Sequence, residues 1–187
     1  METGTVPDAL LDRLVGLVSD RAPACGSTSV VAIDGPSGAG KSELAGALVA
    51  RTGAALLRFD DLYPGWHGLD DVPPRVAAEV LAPIAVGQVG SIARWSWVRD
   101  APAPPVRCPP VPLLVLDGVG SGAAAIRPFL SLLVWVDAPA PLRRHRGLAR
   151  DGETYAPWWD VWASQEATHF SREGTAAFAD VRVATGG

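Results

Sequence analysis

The sequence predicts an α/β protein, a five-stranded parallel sheet flanked by helices on both faces in three layers. Three observations carry that prediction. Apolar runs of strand length alternate with stretches in which apolar residues recur at helical spacing. Two of the runs, Leu113-Leu114-Val115-Leu116 and Leu132-Leu133-Val134-Trp135-Val136, are apolar without interruption, as strands covered on both faces must be. A glycine-rich loop joins a β-branched run to a helical stretch, which gives strand, loop and helix in immediate succession. The chain has 187 residues and is 48% hydrophobic, which suffices for one buried core, so residues 1–187 read as a single domain.

The elements follow in order. Residues 1–27 form an N-terminal helix and linker: Leu10, Leu11, Leu14, Val15 and Val18 share one helical face after Pro7, and the breakers from Pro23 to Gly26 end it. Residues 29–33 make the first strand, and Leu44, Ala45, Ala47 and Leu48 give the helix after the glycine loop its buried face. Residues 55–59 read as a second strand. Pro74 opens a helix through Val76, Val80, Leu81 and Ile84 that stops at Gly87. Six prolines between Ala101 and Pro112 rule out regular helix, and the stretch is expected to be a loop. Residues 143–150 and 158–173 look helical, and Val181-Arg182-Val183 offers a short last strand.

Composition excludes several classes. Charged residues are 19% of the chain and the net charge is −4, so no basic stripe exists for a nucleic acid. Cys25 and Cys108 are too few and too isolated for a disulfide framework or a zinc site and are expected to be reduced. No apolar run approaches the roughly 20 residues that span a bilayer, and Met1-Glu2-Thr3-Gly4 does not start a secretory leader. The expectation is a cytoplasmic protein with neither nucleic acid nor membrane as partner.

The strongest chemical signal is Gly35-Pro36-Ser37-Gly38-Ala39-Gly40-Lys41-Ser42, placed between strand and helix as a phosphate-binding loop must be. Its backbone N–H groups and the helix N-terminus suit phosphate, Lys41 would bridge the terminal phosphates of ATP, and Ser42 would hold Mg²⁺. Lys41 is also the only lysine among sixteen basic residues, so a chain otherwise built on arginine uses an ammonium at the one place that suits a phosphate tail. Asp117, the carboxylate ending the apolar run 113–116, is the second expected Mg²⁺ ligand. Taken alone it would read as a turn residue or a helix cap.

After the second strand comes Phe59-Asp60-Asp61-Leu62-Tyr63, at the sheet edge where parallel sheets bind ligands. With the glycine loop, this Asp-x-x-Tyr resembles the uridine kinase-like group of P-loop kinases. Weaker likeness runs through Leu81 to Gly87, Ile92 to Trp97, Asp117-Gly118, Val136-Asp137-Ala138, Arg150-Asp151 and His169-Phe170, covering residues 29–184. The resemblance implies a small-molecule kinase that uses ATP and Mg²⁺, with a nucleoside as the first acceptor. It implies Asp60 as the acid that orients and deprotonates the acceptor hydroxyl, with Tyr63 and Trp95 on the acceptor side and Arg144 and Arg150 as lid arginines in the segment 141–157. Asp60 and Asp61 could also cap the loop with an Asx-turn. Arg143, Arg146 and Arg150 share a helical face, which fits a lid and equally a solvated helix.

The departures from the family pattern concern the acceptor. Gly152-Glu153-Thr154-Tyr155 follows Arg150-Asp151 where the family carries more arginines, and Trp95-Ser96-Trp97 stands where it has Tyr-Asp-Phe. Trp66, Trp95, Trp97, Trp158 and Trp162 could line a pocket for a planar base or belong to the core. Asp70 and Asp71 are candidates for acceptor hydroxyls or plain helix-start acids. Trp158, Trp162, Glu166 and His169 share a helical face to which no chemistry is assigned.

Two alternatives remain. Ala32-Ile33-Asp34-Gly35-Pro36 also resembles the start of cytidylate kinases, but Arg75, Arg94 and Arg99 are the only arginines available for an acceptor phosphate. An ATP-binding regulator without kinase activity is the other. A GTPase is disfavoured, since its Asn-Lys-x-Asp cannot exist in a chain without asparagine whose one lysine is Lys41.

Overall fold

The computed structural model describes residues 6–186; the Met1 to Gly4 stretch read for a leader lies outside the described residues, as do the side chains of Asp151, Glu153 and Thr154. The described residues form a five-stranded parallel sheet from β1 (Ser29–Asp34), β2 (Ala55–Arg58), β5 (Leu113–Asp117), β6 (Leu132–Asp137) and β7 (Val181–Ala184). The spatial order is β2-β5-β1-β6-β7, with β1 at the centre. Register pairs Ile33 with Asp117 and Arg58 with Asp117, so the ends of β1, β2 and β5 lie level at one edge. That edge carries the loops with chemistry in them.

Both faces of the sheet are covered, which is why its central strands read as unbroken apolar runs. On one face α1 (Asp8–Ser19) and α2 (Lys41–Thr52) pack Leu11, Leu14, Leu44 and Leu48 against Val31, Ile33, Val115 and Val134. On the other, Val30, Ala32, Leu114 and Leu116 meet the helix over residues 72–85 and the two C-terminal helices. Burying a leucine such as Leu14, which has no exposed surface, stabilises the fold by about 2 kcal/mol. Among the described residues no helix is long and apolar enough to cross a membrane.

The helix expected from Pro74 starts at Val72 and runs as α3 (Val72–Val76), a wider turn over Ala77–Leu81, and α4 (Ala82–Ala85). Pro83 explains the wide turn, since it has no N–H to give to the preceding turn and the helix must open to pass it. Gly87, at φ 75°, takes the left-handed position after the helix as anticipated.

The proline-rich stretch is not the expected loop. Ala101–Cys108 is β4, and it pairs antiparallel with β3 (Gly90–Ser96) as a separate two-stranded ribbon. A ribbon has two edges, so prolines whose missing N–H would face outward cost nothing. The consecutive Pro104 and Pro105 fall where the register shifts between Ile92 and Arg94, a bulge that takes up what the ladder cannot pair. The second strand also stops one residue short of expectation, because Phe59 turns into a short 3₁₀ turn, Phe59–Asp61.

The C-terminal part consists of α5 (Ala140–Tyr155), α6 (Trp159–Glu173) and a short α7 (Thr175–Phe178) that the sequence did not announce. Within α5, Gly152 breaks the helix at φ 57°. The two cysteines are free and buried, and the Cys25 thiol donates to the Leu81 carbonyl at 3.2 Å.

Candidate active site

The glycine loop, residues 35–40, sits between the end of β1 and the start of α2, where strand twist and helix N-terminus meet. It runs through a narrow gap. A Cβ on Gly35 would stand 1.9 Å from the Val136 carbonyl oxygen, and one on Gly38 would stand 2.2 Å from that of Arg143, so both positions demand glycine irrespective of φ. Gly40 precedes α2 in the left-handed conformation and no side chain caps the helix, which leaves its first N–H groups for an anion. Lys41 is 8% exposed, and its ammonium donates to the Pro36 carbonyl at 3.0 Å across the loop.

Asp34, the last residue of β1, anchors this loop. One carboxylate oxygen accepts the N–H groups of Gly35 at 2.7 Å and Gly120 at 2.9 Å, and the other accepts that of Gly122 at 2.9 Å. Burial pushes its carboxyl up, while the three amides and Lys41 pull it back. The clamp joins the glycine loop to the turn that follows Asp117. Nothing local marks Asp34 for this, because Gly120 and Gly122 lie far along the chain.

Asp117 ends β5 beside Ser42. It is 4% exposed, and burial raises its carboxyl, opposed by the Lys41 charge and the Ser42 hydroxyl. Its Oδ1 is buried without a hydrogen-bond partner. An orphaned carboxylate oxygen next to a hydroxyl is a hard oxygen donor set of the kind Mg²⁺ takes in phosphoryl-transfer sites, so Ser42 and Asp117 fit the ion expected of them.

Asp60 is exposed in the turn after β2, and its charge bears on Asp117, Tyr63 and Tyr155, which places it on the same edge of the sheet. Its backbone carbonyl accepts the Trp97 indole N–H at 2.7 Å, fastening the tip of the β3–β4 ribbon over the turn. Asp61 is exposed as well.

The residues expected to touch an acceptor are placed differently. Tyr63 is 1% exposed, its hydroxyl donates to the Val119 carbonyl at 2.9 Å, and its ring meets Trp162 edge-on at 4.8 Å. It forms the wall behind the site rather than a surface an acceptor can reach. Asp70 is engaged too: Arg172 donates to both its oxygens at 2.8 and 2.9 Å, and its Oδ1 lies 2.8 Å from His169 Nδ1. It is the hub of an ion pair and remains half exposed. Trp95 is half-buried, with its indole nitrogen buried and unpartnered.

The other tryptophans stack on one another. Trp66 lies parallel to Tyr155 and Trp158 at centroid distances of 5.2 and 5.8 Å, and Trp97 tilts against it at 4.6 Å. Together these rings form one stacked aromatic layer around Trp66.

Among the arginines, Arg143 reaches the loop, donating to the Ser37 carbonyl at 3.4 Å and to the Ala138 carbonyl at 3.0 Å. Arg146 donates to the Thr185 hydroxyl, which in turn donates to the Ala39 carbonyl. Arg150 is exposed, and its charge reaches Tyr155. Arg144, by contrast, is exposed along the open outer flank of α5 with Pro141, His145, Leu148 and Ala149. Arg143, one residue earlier, is in contact with the loop.

Glu166 and Trp162 are further residues that sequence spacing did not assign. Glu166 Oε1 accepts the Ser37 N–H at 2.8 Å and the Trp162 indole N–H at 2.9 Å, and that indole also donates to Ser37 Oγ at 3.0 Å. Their spacing marked a shared helical face, yet it could not say which loop that face meets.

No family model matches the chain, and no curated protein matches it. Solved structures do. A possible uridine kinase from Bacillus stearothermophilus superposes with a TM-score of 0.66 at 17% identity, covering 94% of this chain and 96% of that one. A protein assigned as a fructose transport system kinase, from Silicibacter sp. TM1040, superposes with a TM-score of 0.56 at 16% identity, covering 96% and 99%. At such identities the likeness establishes the fold, that of the P-loop kinases.

Proposed function

We propose, on the premise that this chain folds as the P-loop kinases do and carries their loop, that it is an ATP-dependent kinase that phosphorylates a hydroxyl of a small molecule. The observation that supports this best is the grouping of Lys41, Ser42 and Asp117 around a helix start whose N–H groups no side chain occupies. The loop amides and Lys41 would bind the phosphates of ATP. Mg²⁺, held through Ser42 and Asp117, would neutralise charge on the phosphates when bound. Asp60 would orient the acceptor hydroxyl and take its proton, a modest demand because the transition state of phosphoryl transfer is loose. Arg143 and Arg150 would close over the transferred group from α5 and keep water out. The reaction so read belongs in the cytoplasm and needs neither nucleic acid nor membrane.

The acceptor is a nucleoside in this reading, because the site is flanked by the aromatic layer around Trp66, which suits a planar base. A monophosphate kinase is disfavoured by the engagement of its candidate arginines: Arg75 pairs with Glu79, Arg94 with the Pro104 carbonyl and Arg99 with Ser96. The test is a phosphorylation screen with γ-labelled ATP against nucleosides, nucleoside monophosphates, sugars and vitamin alcohols, with Lys41→Ala in parallel. Label transferred to a nucleoside by the native protein and lost in Lys41→Ala is the expected result. Turnover undiminished in Lys41→Ala would remove the basis of the reading, and ATP binding without any acceptor would favour a regulator.

A further inference from the structure

Glu166 faces the phosphate loop with the wrong charge for a phosphate site. Its side chain is 4% exposed, and its carboxylate accepts the N–H groups of Ser37 and of the Trp162 indole. Buried carboxylates need such partners. This one takes the N–H of Ser37, a residue in the middle of the loop whose amides would otherwise meet phosphate oxygens. A carboxylate and a phosphate offer the same charge and the same acceptor chemistry, and a single N–H cannot serve both fully.

The surroundings say which phosphate is concerned. Tyr155 lies near the Ser37 hydroxyl and feels the charges of Glu166, Asp60 and Arg150 together. Arg143, in the expected lid segment, donates to the Ser37 carbonyl at 3.4 Å, so the Ser37 end of the loop meets the lid, on the side where transfer would place the terminal phosphate. The same helix also holds the acceptor side. Gln165 donates to the Trp66 carbonyl at 2.6 Å, and His169 and Arg172 grip Asp70. Helix α6 thus has Trp162 and Glu166 on the phosphate loop and Gln165, His169 and Arg172 on residues 66–70.

We propose that Glu166 is an internal competitor for the terminal phosphate: its carboxylate holds the Ser37 amide in the nucleotide-free protein and yields it to the γ-phosphate. ATP, and not ADP, then releases α6 from the loop, and α6 carries that change to the segment from Trp66 to Asp70. The inference rests on the reading of the loop as a nucleotide site.

The test compares dissociation constants of Mg²⁺ with the non-hydrolysable analogue AMP-PNP and of Mg²⁺ with ADP, by calorimetry, in the native protein and in Glu166→Gln. Glutamine keeps the shape and an acceptor oxygen while removing the charge. The variant is expected to bind AMP-PNP about tenfold more tightly, with ADP altered by less than about threefold, because only the terminal phosphate meets the carboxylate. Equal gains for both nucleotides, no change in either, or a loss for both would overturn the proposal and leave Glu166 as a residue that shapes the loop. Amide hydrogen exchange in the native protein gives an independent reading should the variant fail to fold. Residues 66–70 are expected to change protection with AMP-PNP and not with ADP, and identical responses to the two would overturn it. Absence of binding by either nucleotide would remove the nucleotide site and this inference together. Binding that shows the AMP-PNP and ADP difference without any acceptor turnover would uphold the inference and sink only the kinase reading.

Discussion

Asp60 and Asp117 are carboxylates on one sheet edge with opposite surroundings, and the roles proposed for them differ accordingly. Asp117 is buried and has an oxygen without a partner, whereas Asp60 is open to solvent at the end of a strand. An exposed carboxylate is open to an incoming hydroxyl, which is what the proposed acceptor base requires. Asp60→Asn should therefore leave Mg²⁺·ATP affinity within about threefold while lowering transfer by roughly 10²-fold, the usual scale for loss of a general base. Calorimetry and a transfer assay on the same preparation measure both. Affinity and turnover falling together would assign Asp60 to the metal, and unchanged turnover would remove it from the site. The places of Asp60, Lys41, Ser42 and Asp117 at strand ends and a helix start were legible in the chain, because apolar runs and the glycine loop mark those boundaries locally. Asp34, Arg143 and Glu166 could not, because their partners are backbone groups brought near only by tertiary packing.

At the scale of elements, the ribbon of β3 and β4 is the part that sequence reasoning misjudged. Six prolines argue against helix and against a central strand, but not against a two-stranded ribbon whose outward N–H positions need no partner. The central strands β1, β5 and β6 were legible for the opposite reason, since burial on both faces leaves apolar runs. The ribbon is tied to the Asp60 turn by the Trp97 indole, which donates to the Asp60 carbonyl. Trp97→Phe keeps most of the ring surface and removes that bond. It should raise the acceptor KM about three- to tenfold while leaving nucleotide affinity unchanged, the mark of lost acceptor positioning. Steady-state kinetics with ATP and acceptor varied separately would show it, and an effect on ATP alone would detach the ribbon from the acceptor.

Across the whole molecule, α6 is tied to the segment before α3 by charge. The Arg172 guanidinium, and after it the His169 imidazole, hold the Asp70 carboxyl down at about 2 against an ordinary 3.8. A carboxyl depressed in the folded state stabilises the fold fully above its unfolded value, and that contribution is lost as pH falls through the folded one. The window runs from about pH 4 down to about pH 2. Asp70 is half exposed, so solvent screens the pair and the slope is shallow. Urea midpoints across that window should fall less steeply in Asp70→Asn than in the native protein; equal slopes would show that the ion pair forms no part of acid lability. Asp180, held low by Arg21 against burial, supplies a remaining slope in both. One last consequence follows from Lys41 being the chain's only lysine and lying buried across its own loop. A protease that cuts only after lysine has a single place to act, between Lys41 and Ser42, where the loop passes into α2, and needs that junction open. When reclosing is faster than cutting, its rate follows the open population of the unlabelled protein, and a nucleotide that occupies the loop should lower that rate.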